Sequence, residues 1–113
     1  MKYALTIPER YRIMQHLPQE GDRLTMHDVR DMFENLRPSE KERAKWGIVE
    51  QAGRVEWQPE ANDETADIDF TTPQVAIVVA KLRELEGNKK LTVMDLDLYD
   101  KFVEEKNDGQ TAR

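Results

Sequence analysis

The chain has 113 residues, of which 35% are charged and 38% apolar, with no cysteine and a formal net charge of −6. A chain of this length has room for one domain with one core. Disulfides, thiolate nucleophiles and thiolate metal sites are excluded, no apolar run is long enough to span a bilayer, and the acidic balance excludes nucleic-acid binding by bulk charge.

The excess charge sits in one segment. Residues 1–46 carry nine Lys or Arg and eight Asp or Glu, residues 47–70 carry one and seven, and residues 71–113 carry seven and eight. Met1 to Pro8 lacks the apolar core of a signal peptide, so an intracellular protein without membrane association is expected.

In chain order, Thr6 and Glu9 have capping-box spacing around Pro8, and Ile7, Tyr11, Met14 and Leu17 continue a helical face to Pro18. A polar connection with Gly21 follows. Thr25 and Asp28 then open a second helix with Met26, Val29, Met32, Phe33 and Leu36 inward, ending at Pro38. Ser39 and Glu42 open a short third helix to Trp46, stopped by Gly47.

From Gly47 the period changes from helical to alternating. Residues 48–51 and 54–57 around Ala52-Gly53 predict a hairpin, and residues 58–65 a polar loop. Residues 66–70 alternate strictly, placing Ala66, Ile68 and Phe70 inward in a strand expected to complete a three-stranded sheet. The most apolar segment follows. Thr71 with Gln74 caps it, Pro73 lies in its first turn, Val75, Val78, Val79, Leu82 and Leu85 share a face, Ala76, Ile77 and Ala80 extend the apolar surface beyond that stripe so that cover on more than one side is expected, and Gly87 is placed to end the helix in a left-handed conformation. A last helix after Thr92 is expected to bury Val93, Leu96, Tyr99, Phe102 and Val103, and residues 104–113 read as a flexible tail. The expected architecture is a single α+β domain over residues 1–103, about five helices packed around a small two- or three-stranded antiparallel sheet. Thr6-x-Pro8 with a following helix and Leu24-Thr25-x-x-Asp28 matches Thr71-x-Pro73 with Leu91-Thr92-x-x-Asp95, a pattern that two helical hairpins about a pseudo-twofold axis share with capped helices in general.

Two charged constellations stand out. Glu50, Glu56, Glu60, Asp63, Glu64, Asp67 and Asp69, with Trp57 beside them, form an acidic strip suited to a basic protein partner; the same carboxylates are also the ordinary solvated cover of a half-buried sheet. Arg37, Lys41, Arg43 and Lys45 form a basic stripe, and the order of three helices and a hairpin fits a winged-helix DNA-binding domain with residues 39–46 as recognition helix. Glu40, Glu42, Glu50 and Glu56 in the same segments oppose that reading, because phosphates repel them. His16 and His27 have no metal-spaced partner and no carboxylate in sequence to orient them, so they read as surface or half-buried side chains. Ser39 reads as a cap, and the five glycines stand singly. No catalytic residue, cofactor or metal is expected.

Leu5-Thr6-x-Pro8-Glu9-Arg10, Val55-Glu56-Trp57 and Leu91-Thr92-x-x-x-Leu96-x-Leu98-Tyr99-x-Lys101-Phe102 resemble small uncharacterised proteins encoded by tailed phages and prophages. The resemblance runs over most of the chain and implies a small phage accessory protein in the bacterial cytoplasm, with no catalytic residue, cofactor or substrate to carry over. A non-enzymatic protein that binds a host or phage protein through the acidic strip is the expectation. DNA binding and self-association in an assembly are the alternatives.

Overall fold

The computed structural model describes residues 1–104; most of the expected tail lies outside the described residues. Strand β1 (Lys2–Leu5) leads into α1 (Ile7–His16), followed by α2 (Arg23–Leu36) and α3 (Glu40–Trp46). A hairpin of β2 (Val49–Gln51) and β3 (Arg54–Glu56), a 3₁₀ turn (Pro59–Asn62) and β4 (Ala66–Asp69) come next, then α4 (Thr72–Gly87), α5 (Val93–Tyr99) and a wide π-helical turn (Asp100–Glu104). The chain is α+β, with five α-helices and two small antiparallel sheets.

The local signals act where the capping chemistry is complete. Thr6, Ser39 and Thr71 each accept a hydrogen bond from the backbone three residues on, and Glu9, Glu42 and Gln74 return it. Helix α2 starts earlier than expected, because Asp22 is the N-cap and its carboxylate accepts from the Thr25 N–H at 2.8 Å. Helix α4 runs through Gly87, and the left-handed residue beyond it is Lys89 at φ 59°.

The sheet differs from expectation in its pairing. Strand β4 pairs with β1, Tyr3 opposite Ile68 and Leu5 opposite Ala66, while β2 and β3 form a separate hairpin. Alternation explains the choice: Leu5, Ile68 and Phe70 can all reach the core from a β1–β4 pair, whereas both hairpin strands stay mostly exposed. Between β3 and β4 the chain turns away through the 3₁₀ segment, pinned by the Gln58 N–H on the Trp46 carbonyl at 2.8 Å. Each strand of the β1–β4 pair runs into a Thr-x-Pro capping box and a long helix, so the matching spacings at Thr6 and Thr71 correspond to two similar strand–cap–helix units with paired strands.

One core joins β1, β4 and the helices through Leu5, Ile13, Met32, Leu36, Val75, Leu82 and Leu98, all 1% exposed or less. Phe102 is fully buried where Tyr3 stacks on it at 4.1 Å and Phe70 meets it edge-on at 5.3 Å. The π-helical turn allows both Phe102 and Val103 to be buried while Lys101 donates to the Ala4 carbonyl and to Glu9, at 2.7 and 2.8 Å. A smaller cluster of Ile7, Ile48 and Ala61, with Tyr11, Trp46, Val55 and Trp57 packed on it, supports the hairpin.

Two expected faces are corrected. On α5 the buried residues are Asp95 and Leu98, while Val93 and Leu96 are 82% and 48% exposed. The helix is turned by a polar anchor, described below, that outweighs the apolar period. On α4, Ala76 and Ala80 face solvent, so the helix is covered along one side by the core.

Candidate functional site

The acidic strip is divided by the fold. In the hairpin register, Glu50 lies opposite Val55 and Glu56 opposite Val49, so the two glutamates point to opposite faces. Glu50 accepts from the Tyr11 hydroxyl at 2.7 Å and from Arg43 at 2.9 Å, and those donors hold its carboxyl below the usual range. The Tyr11 phenol is pushed up to about 12, first by burial and then by its bond to Glu50. Glu56 pairs with Arg54 at 2.7 Å. Trp57 stacks on Tyr11 at 5.8 Å and donates to Asn62 at 2.9 Å; it is half-buried and packs on the small cluster.

The remaining five carboxylates, Glu60, Asp63, Glu64, Asp67 and Asp69, are exposed on the 3₁₀ turn, the following loop and β4. Asp69 meets the amino-terminal nitrogen at 3.1 Å and Glu64 meets Lys45 at 4.0 Å, whereas Glu60, Asp63 and Asp67 form no ion pair among the described residues. Their support is firm, because Ala61 and Ile68 between them and Phe70 just after them are buried.

The basic stripe is also apportioned. Arg43 is taken by Glu50, and Lys45 lies over the Trp46 ring at 4.7 Å and near Glu64. Lys41 and Arg37 are exposed, without an ion pair among the described residues. Helix α3 is anchored through Arg10, which is 2% exposed: it bonds Glu42 and the carbonyls of Leu36 and Arg37, tying α1 to the end of α2 and the start of α3.

His16 does have an orienting carboxylate, contrary to expectation. Asp95 is fully buried and accepts from His16 Nε2 at 2.9 Å, from Arg12 at 2.8 and 3.2 Å, and from the Thr92 N–H and hydroxyl at 3.1 and 3.0 Å. Burial alone would raise its pKa, but these donors outweigh it and hold the carboxyl well below the ordinary range. Arg12 and His16 are four apart on α1 and so address one point. That spacing, together with Thr92-x-x-Asp95, was the available signal. Asp95 uses its acceptor capacity on internal donors, which makes it a tie between α1 and α5. His27 lies on the surface, its Nδ1 accepting from Arg30 at 3.0 Å.

Among the described residues, no cluster of three His, Cys, Asp or Glu is placed to hold a metal ion, and no helix is long and apolar enough to cross a membrane. No family, curated protein or solved structure matches the chain.

Proposed function

We propose that this chain is a non-enzymatic, phage-type accessory protein of the bacterial cytoplasm that binds a basic surface on a host or phage protein through its acidic segment, residues 60–69. The observation that carries the proposal is the trio Glu60, Asp63 and Asp67, exposed on a buried footing and without internal cations. Carboxylates held this way keep their field directed at solvent and steer a positively charged partner at modest ionic strength. Glu50, Glu56 and Trp57 serve the hairpin and its packing, and only the carboxylates from Glu60 onward belong to the contact surface.

The test is affinity capture from nuclease-treated bacterial lysate with the wild type and with Glu60→Lys/Asp63→Lys/Asp67→Lys. The expected result is recovery of basic proteins that the triple variant loses while its circular dichroism is unchanged. The same proteins on both baits would end the proposal.

Duplex-DNA binding is the second reading, favoured by the sequence of α1, α2, α3 and a projecting hairpin with Arg37 and Lys41 exposed. It has less support, since Arg43 and Lys45 are engaged internally and the hairpin lacks the third strand of a winged-helix sheet. A mobility shift at low salt that Arg37→Ala/Lys41→Ala removes would establish it. Self-association draws on the exposed Val93, Met94 and Leu96 of α5, and light scattering over a concentration series tests it.

A further inference from the structure

Two open depressions share Phe33 and Arg37 in their linings, one between the β2–β3 hairpin and the α1–α2 pair and one along α2 beside the connection from α1, and together they make a shallow groove. One part, of about 430 Å³, lies between Tyr11, Met14 and the hairpin; the other, of about 640 Å³, follows α2 past Met26 and Arg30. Phe33 and Arg37 line both and mark their junction. Tyr11, Met14, Met26 and Phe33 are half-buried along the groove, a lining that adapts to bulky apolar side chains.

Arg37 is the group at this junction that the fold leaves available. Its backbone is held from two sides: its N–H donates to the Phe33 carbonyl at 3.1 Å and its carbonyl accepts from buried Arg10 at 3.1 Å. Its φ of −62° and ψ of 136° are the extended geometry favoured before proline, and Pro38 is buried. The guanidinium itself is exposed and makes no hydrogen bond or ion pair among the described residues. Its field reaches Glu50, but that carboxylate is already bonded to Tyr11 and Arg43. Arg30, which also bonds His27, adds a second cation to the α2 hollow, where Glu34 is the carboxylate of the lining.

A fixed stem that presents a planar, unpaired cation between a mainly apolar hollow on α2 and a mixed one, where Tyr11, Met14 and Val55 lie beside Gln51 and Arg54, fits a carboxylate flanked by large apolar residues. We infer that this groove docks a short acidic, apolar segment of a partner protein, with Arg37 clasping its carboxylate and Phe33 and the methionines receiving its apolar side chains. The surface is opposite in polarity to residues 60–69 and independent of that site, so the chain would join two different protein surfaces.

The experiment uses a displayed library of random dodecapeptides panned on the full chain, with recovered peptides resynthesised and their affinities measured by fluorescence anisotropy. Expected is enrichment of Asp or Glu next to Leu, Ile, Phe or Met, with affinity falling about tenfold or more in Arg37→Glu, the scale of one charge-assisted contact. Exchanging the peptide carboxylate for lysine should restore binding to Arg37→Glu. Arg37 is exposed, so the variant is expected to fold, and an unchanged amide NMR spectrum away from the groove checks this. No enrichment, enrichment of basic peptides, or affinity indifferent to Arg37→Glu would overturn the inference. Competition of the peptides by duplex DNA, or a concentration-dependent dimer lost in Arg37→Glu, would overturn it too, reassigning Arg37 to phosphate or to a second copy.

Discussion

Arg10 and Glu42 meet at 2.7 Å, and the same guanidinium bonds the carbonyls of Leu36 and Arg37, so one side chain of α1 closes the end of α2 and anchors the start of α3. Arg10→Met keeps the volume and removes every donor. It leaves two carbonyls without this donor and a part-buried carboxylate without its cation, with only the Ser39 N–H still bonded to it, which should cost about 3 kcal/mol. Glu42→Gln keeps an acceptor for Arg10 and a polar side chain for the Ser39 capping box and should cost about 1 kcal/mol. Urea midpoints of the two variants check the order; equal losses would mean that the ion pair, not the capped carbonyls, matters.

Asp95 gives the fold an acid dependence. Its folded pKa lies well below the unfolded value of about 3.9, so its contribution is present above that value and is lost as pH falls through the folded pKa. Asp95→Asn should therefore be roughly 3 kcal/mol less stable than wild type at pH 7, with the gap narrowing progressively below about pH 4. Glu42 and Glu50 are also held low, so the difference between wild type and variant, and not the wild-type slope alone, reports Asp95. Urea unfolding at pH 7 and pH 3 measures it. A gap that does not change with pH would show that the carboxylate's charge is not what ties α1 to α5.

Tyr11 should titrate late for a phenol. A phenol raised to about 12 favours the folded state below the unfolded value of about 10 and loses that contribution as pH rises through 12. Phenolate absorbance at 295 nm is expected to show a step near pH 12 that Tyr11→Phe removes. Glu50→Gln should lower the step only in part, because burial is the larger cause. An unshifted step in Glu50→Gln would mean that burial accounts for the whole effect.

How legible the chain was follows from the range of each interaction. Thr6, Ser39 and Thr71 were readable as caps because both partners of a capping box lie within four residues. The hairpin and its turn at Ala52-Gly53 were readable too, but grouping Glu50 with Glu56 in one strip overlooked the register, which sets Glu50 opposite Val55 and puts the two glutamates on opposite faces. The pairing of β1 with β4 was not, because Tyr3-x-Leu5 is too short an alternation to announce a strand whose partner lies far along the chain. Nor was the orientation of α5, where a buried Asp95 overrides the apolar period through donors on α1. Among candidate residues, the exposure of the five carboxylates from Glu60 to Asp69 followed from local polarity, whereas the burial of Ala61 in the expected polar loop did not. The loss of Arg43 and Lys45 to internal partners, and the availability of Arg37, depend on tertiary placement that spacing does not encode.

The hairpin turn lines one end of the groove at Arg37 and offers a stabilising change away from residues 60–69. Ala52 and Gly53 both have positive φ, 47° and 78°, as a two-residue turn matched to the strand twist requires. Alanine pays for that conformation through its Cβ, whereas asparagine tolerates it, so Ala52→Asn should raise stability by roughly 0.5–1 kcal/mol. Gly53→Ala is the counterpart. A Cβ there meets no atom within 4 Å, so no clash contributes, and the expected loss of about 1 kcal/mol is purely conformational. Because the hairpin rests on the small cluster of Ile7, Ile48 and Ala61, its opening is separable from unfolding of the main core. Hydrogen exchange of the amides at residues 49–56 therefore reads these changes more directly than the global melting curve: slower in Ala52→Asn, faster in Gly53→Ala, and unchanged in α4 for both. Parallel changes in α4 would show that the hairpin opens only when the whole chain unfolds.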